Sequence, residues 1–147
     1  MSRARSRSVA RLAAVQALYQ LEMENTPIAR LLHEFHQHRL GATIEGATYA
    51  DAEVDFFNDV VKGVDARRLE IDMVISENLG RGWTIERLDR SLRQILRAGA
   101  YELLARPDIP TGSVISEYLD VAHAFFPPKE KKFVNGVLDA VAKAVRV

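Results

Sequence analysis

Four arginines stand at positions 3, 5, 7 and 11 with no acid among them, directly ahead of an almost wholly apolar helical run. If one helix carries them, Arg3, Arg7 and Arg11 recur at i, i+4 and i+8 and share a stripe, with Arg5 on another side. Guanidinium groups so placed make planar, bidentate contacts to phosphates and stack on bases. A second basic group lies far along the chain, where Lys129, Lys131 and Lys132 run into Phe133. Lysines beside an aromatic ring match a stacking platform for single-stranded nucleic acid. The plainer reading of the same residues is a solvated basic tail and a core phenylalanine flanking Val134.

Other chemistry is poorly supported. His33, His36 and His38 include one i, i+3 pair, but Glu34 and Gln37 alternate with them on a polar face, and a metal site needs a further ligand. Asp51, Glu53, Asp55 and Asp59 suggest a calcium loop, yet that loop requires glycine at its sixth position and glutamate at its twelfth, where Phe56 and Lys62 stand. Acids at the start of a helix, favoured by its dipole, explain the cluster better. The chain has no cysteine, hence no disulfide, zinc-thiolate site or thiol nucleophile. It has no glycine-rich phosphate loop, G-x-S-x-G elbow or H-E-x-x-H motif. The expectation is therefore no catalytic residue, no cofactor and no metal. With 20 Lys+Arg against 20 Asp+Glu the net charge is zero, so any polyanion must be held by a local patch.

Helices must position these groups. Leu12, Val15, Tyr19 and Met23 recur at helical spacing in a segment apolar around most of its circumference, which predicts a first helix wrapped by others. Thr26-Pro27 reads as the start of a second, running to about Leu40. Gly41 to Ala50 is a Gly/Thr/Ala-rich loop and the expected flexible segment. Val54, Phe57, Val61 and Val64, then Ile71 and Ile75, mark a long helical stretch that Gly63 bends or divides and the Gly80–Gly82 segment ends. Leu88, Leu92, Ile95, Leu96, Gly99 and Leu103 form a clean stripe, with Gly99 placed to admit a neighbouring helix closely. Arg106 to Pro110 stops that helix. Ile115, Tyr118, Leu119, Ala122, Phe125 and Phe126 form the next stripe, closed by Pro127-Pro128, and Val134, Val137, Leu138, Val141 and Val145 the last. No alternating strand pattern of useful length occurs, so the fold class is all-α, a compact bundle of about six or seven helices. The basic start has some likeness to a targeting segment, but Gln16 and Gln20 interrupt the apolar run. No run reaches the roughly 18 apolar residues of a membrane span, so a soluble, cytoplasmic protein with no membrane partner is expected.

Three stretches carry a resemblance to a known family. "ARLAAVQALYQLEM", "LRQILRAGAYELLARPDIP" and "KKFVNGVLDAVAK" resemble, in order and spacing, the signature segments of NusB, the bacterial transcription antitermination factor. The resemblance spans essentially the whole chain. It implies one NusB-like RNA-binding domain, residues 1–147, of two packed helical subdomains, about 1–80 and 81–147. It implies a non-enzymatic factor that pairs with NusE, a small-subunit ribosomal protein, to recognise boxA RNA in nascent transcripts, chiefly of ribosomal RNA operons. Other antitermination factors and RNA polymerase are then indirect partners. Arg7 and Arg11 fall on arginines of the family's RNA-binding motif, Arg3 and Arg5 lie just upstream, and Ser8 and Val9 stand where many members have further arginines. Tyr19 matches the tyrosine of the A-L-Y stretch near the RNA, and Lys131, Lys132 and Phe133 match the basic-aromatic corner. Leu92 stands where a glutamate usually touches NusE, and Lys129 lies in the variable loop ahead of the last motif; both are expected at the NusE contact. Open alternatives are the similar module of an RNA methyltransferase and a helical adaptor for proteins alone, as monomer or homodimer.

Overall fold

The computed structural model describes residues 3–38, 43–44, 47–48 and 53–146. Among them are seven α-helices and a short 3-10 turn, the all-α architecture that the stripes predict. Two two-residue strands, β1 (Thr43–Ile44) and β2 (Ala47–Thr48), pair antiparallel with Thr43 opposite Thr48. They fall within the expected flexible segment, whose other residues lie outside those described. The chain divides into two compact units, Met1–Gly63 and Val64–Val147. The boundary thus precedes the expected one near residue 80, because the helix ending at Glu77 packs on the helices that follow it.

The first unit holds α1 (Arg3–Glu24), α2 (Ile28–His38) and most of α3 (Val54–Ala66). The buried face of α1 is its alanine face, Ala10, Ala13, Ala14 and Ala17, with Val15 and Leu18. Tyr19 and Met23, expected inside, are 38% and 43% exposed. Asn25 ends α1 in the left-handed region at φ 52°, a conformation asparagine tolerates. The Pro27 carbonyl accepts the first bond of α2 from Leu31 N at 3.0 Å. Phe35 of α2 stacks on Phe57 of α3 with centroids 5.5 Å apart. Helix α3 continues unbroken past Gly63, and the chain turns four residues later at Arg67. There Arg67 Nε donates to Glu70 Oε1 at 2.8 Å, a hydrogen bond that holds the Glu70 carboxyl below its ordinary range.

The second unit comprises α4 (Arg68–Glu77), the 3-10 turn (Ile85–Arg87), α5 (Arg90–Ala105), α6 (Thr111–Phe125) and α7 (Pro128–Val145). Helices α5, α6 and α7 pack on one another, and α4 lies against α5 and α7. Every residue from Gln94 to Leu103 is buried. Gly99 makes this packing feasible: a Cβ there would lie 3.0 Å from both Leu138 methyls and 3.4 Å from the Tyr118 ring. The polar groups drawn inside are paired. Arg97 forks onto Asp72 of α4 (Nε–Oδ1 2.8 Å, Nη2–Oδ2 2.9 Å), and the Tyr118 hydroxyl donates to the buried Glu102 carboxylate. Arg146 closes the C-terminal end of α5. It donates to the carbonyls of Leu103 (2.9 Å), Arg106 (2.7 Å), Glu102 (3.2 Å) and Ile109 (2.7 Å), and to Thr111 Oγ1 (3.1 Å).

Three stability outcomes follow from this packing. Gly99→Val is expected to lower unfolding free energy by about 1–3 kcal/mol through overpacking against Leu138. Gly99→Ala costs less, because alanine regains about 1 kcal/mol of helix propensity. Arg146→Ala, which strips donors from the last carbonyls of α5, is expected to cost about 2 kcal/mol. Urea titrations followed by circular dichroism check all three; an unchanged midpoint for Arg146→Ala would show those carbonyls equally well served by water.

Candidate nucleic-acid interface

In the first unit the basic residues lie at the leading end of α1. Arg3 opens the helix, and its side chain lies outside the described residues. Arg5 is exposed. Arg7 is half-buried, with Nε 3.1 Å from Glu53 Oε2 and its guanidinium 4.8 Å from the Phe56 ring centroid. Arg11, one helical turn on, also sets its guanidinium 4.8 Å from that centroid, and is only 3% exposed. The i, i+4 spacing therefore works, but it carries the stripe inward beneath α3. Arg11 offers no open face to a phosphate; it contributes charge and packing from below, where Coulomb interactions are less screened than in water. The Glu53 backbone is tied to the same helix, its N–H donating to the Ser6 carbonyl at 3.2 Å. Two cations over the Phe56 ring, with the Glu53 carboxylate beside Arg7, place Arg5 and Arg7 outermost at this helix end. Tyr19, two turns beyond Arg11, is partly exposed on the same helix. His36 is engaged by Asn58 Oδ1 at 2.7 Å and by the edge of Phe57, and no group of three metal-ligating side chains occurs among the described residues.

In the second unit a cleft of about 350 Å³ opens at the start of α7. Trp83, Arg87, Leu88, Asp89 and Leu92 line one side, and Phe126, Lys129, Glu130 and Phe133 the other. The fold thus gathers Leu92, Lys129 and Phe133 around one space. Leu92 is buried as part of its floor, whereas Lys129 and Lys132 are exposed and Lys131 and Phe133 half-buried. The Trp83 and Phe133 ring centroids are 6.0 Å apart, tilted by 48°.

Trp83 is the residue that motif reading passed over. It is the chain's one tryptophan, 51% exposed, in a polar turn. That combination of a large ring and a loop of glycines was the available signal. Gly82 precedes it at φ 82°, a left-handed conformation that glycine adopts without steric cost. The turn is braced from several directions. Trp83 N–H donates to Gly80 O at 3.1 Å, Arg87 Nη1 to Gly82 O at 2.6 Å, and Arg93 Nε to Ile85 O at 3.0 Å. The Arg87 guanidinium lies 5.8 Å from the indole centroid. Asp89 caps α5, accepting from Ser91 N and Leu92 N.

An all-helical scaffold with a cationic helix end in one unit and an aromatic, lysine-edged cleft in the other defines a protein built for recognition at its surface. Residues 8–143 match the model of the NusB family, and the chain belongs to that family. It is 66% identical over 144 residues to a transcription antitermination protein NusB of Sphingopyxis alaskensis, covering 98% of this chain and 97% of that one. It is 67% identical over 142 residues to the NusB of Novosphingobium aromaticivorans, covering 97% and 96%. Among solved structures it resembles T. maritima NusB, with TM-score 0.76 and 30% identity over 93% of this chain and 90% of that one. It also resembles a chain in a complex of the antitermination factors NusB and NusE with double-stranded RNA, with TM-score 0.79 and 28% identity over 95% and 98%.

The contact between Trp83 and Phe133 has an optical consequence. Phe133→Ala is expected to shift the emission of the lone tryptophan to the red and raise its quenching by iodide, as water reaches the uncovered face. Emission identical to that of the parent chain would mean that the rings do not shield one another in solution.

Proposed function

We propose that this protein is an RNA-binding transcription antitermination factor that pairs with NusE and recognises boxA-type single-stranded RNA in nascent transcripts, chiefly those of ribosomal RNA operons. It acts by binding, not catalysis, in the cytoplasm, and reaches RNA polymerase and other antitermination factors indirectly. The observation that carries this reading is membership of the NusB family across residues 8–143. Relatives of about two-thirds identity bear the name of the antitermination protein, and a structural neighbour forms a complex with NusE and RNA.

In this reading Arg5 and Arg7, with Arg3 on the same helix end, contact phosphates; Arg11 supports them from beneath, and Tyr19 offers a ring. Lys131 and Lys132 hold the backbone beside Phe133, which stacks on a base. Leu92 and Lys129 lie at the NusE contact. Beside Glu53 the Arg7 side chain keeps 15% of its surface exposed, so a phosphate competes with a carboxylate for its remaining donors. Zero net charge limits indiscriminate binding, because the attraction is confined to these patches.

The test is a titration of labelled boxA-type RNA with and without NusE at several salt concentrations. Four neutralised phosphates on a single strand predict a log K against log salt slope of roughly −3. Arg5→Ala combined with Arg7→Ala is expected to weaken binding about tenfold or more and flatten the slope by about 1 to 1.5. Unchanged affinity in that double variant would remove the basic helix end from the mechanism. Binding of NusE with no effect of RNA under any condition would favour a purely protein-binding adaptor.

A further inference from the structure

A carboxylate already sits at the basic end of α1. Glu53 stands immediately before α3, and its carbonyl accepts the first bond of that helix from Phe57 N at 3.0 Å. Its side chain reaches α1, where Oε2 lies 3.1 Å from Arg7 Nε. Other contacts already tie the two segments together. The Glu53 backbone N–H donates to the Ser6 carbonyl at 3.2 Å. Phe56, buried in the first turn of α3, has the guanidinium groups of Arg7 and Arg11 each 4.8 Å from its ring centroid. The seat of Arg7 on that ring does not depend on the carboxylate. Asp55, the next acid along, is exposed and forms no ion pair among the described residues.

We propose that Glu53 sets the RNA affinity of this helix end, standing in for a phosphate on Arg7 in the free protein and yielding the guanidinium when a strand binds. The proposal rests on the RNA-binding reading above and adds an acidic residue to a surface read so far from its cations.

A carboxylate and a phosphodiester offer a guanidinium the same thing, one negative charge shared by two acceptor oxygens. Whichever anion holds the fork keeps the other from it, and one left beside it repels the newcomer. The exchange is shallow because the pair lies at the water's edge, its side chains 15% and 29% exposed. An ion pair so placed is worth at most about fivefold in an equilibrium constant. Glu53 therefore lowers RNA affinity a few-fold and does not block binding. Phe56 holds the face of the guanidinium whichever anion takes its edge, so the arginine need not be ordered anew. A cation neutralised in advance also attracts stray polyanions less. A strand profits from the exchange because it brings further phosphates, to Arg5 on the same helix end among others.

The experiment titrates the full chain, with NusE present, against labelled boxA-type RNA between about 50 and 150 mM salt. Glu53→Gln keeps an oxygen for Arg7 Nε and removes only the charge. It is expected to bind RNA about 3–5-fold tighter at the low end of that range. The gain should fall to about half at the high end, steepening the slope of log K against log salt by about 0.5–0.7. Glu53→Ala should gain in the same direction. Asp55→Asn, which removes a like charge from the same helix start, should change affinity by less than about 1.5-fold. Placed on Arg7→Ala, Glu53→Gln should gain less than about 1.5-fold, because the carboxylate acts through that arginine. Circular dichroism confirms that each variant is folded. Unchanged or weaker binding by Glu53→Gln makes the carboxylate a mere tie between α1 and α3 and overturns the proposal. An equal gain from Asp55→Asn, or a full gain without Arg7, overturns it as well by reducing the effect to net charge. All three of these results leave the RNA-binding reading standing, whereas failure of the parent chain to bind RNA overturns both.

Discussion

The close approach at Gly99 is the constraint on which the second unit depends. Two leucine methyls of α7 and the ring of Tyr118 on α6 sit where any side chain at residue 99 would have to go. With that gap closed, α5 is enclosed for nearly its whole length, and the start of α7 is drawn up beside the start of α5. The cleft follows from this arrangement. Leu88, Asp89 and Leu92 come from the beginning of α5 or just before it, while Phe126, Lys129, Glu130 and Phe133 come from the junction of α6 and α7.

Enclosing a helix that carries arginine, glutamine and glutamate requires partners for each, since an unpaired buried charge is costly. Asp72 supplies one from α4 and Tyr118 another from α6. Arg146 solves a different problem. One guanidinium serves the carbonyls of Glu102, Leu103 and Arg106 at the end of α5, those of Glu102 and Arg106 shared with the backbone N–H groups of Arg106 and Ile109, while holding the loop at Ile109. Its positive charge also suits the negative end of the helix dipole. These polar contacts fix the register of α4, α6 and the chain end around α5 as firmly as the aliphatic core does.

The two candidate surfaces differ in construction. At the head of α1, charge is stacked in depth: Arg11 beneath, Arg7 half out and partnered by Glu53, Arg5 outside. At the head of α7 the surface is aromatic, with the Trp83 and Phe133 ring centroids 6.0 Å apart beside the exposed Lys129.

The helices and their order were legible along the chain. Pro127-Pro128, Arg106 to Pro110 and Gly80 to Gly82 each interrupt helix where local chemistry requires, and Gly99 marks a close contact because only a missing side chain explains glycine inside so regular a stripe. The arginines at 3, 5, 7 and 11 and the lysines ahead of Phe133 were visible as charge without compensation. Burial was read less well. The first helix looks the more apolar because of its alanines, yet Tyr19 and Met23 reach solvent, while Gln94 to Leu103 of α5, Arg97 and Glu102 among them, are all buried. The difference is physical: local sequence records how apolar a residue is, whereas the fate of a charged one is decided by whether a distant partner arrives to neutralise it. By itself, then, the sequence determined the helical class, the order of the helices and the residue types available for binding, while the break between α3 and α4 fell at Arg67 and not at Gly63. Only the tertiary structure decided that Arg11 turns inward over Phe56, that Trp83 meets Phe133, and that Glu130 is left without a donor, because each depends on groups brought together from separate elements.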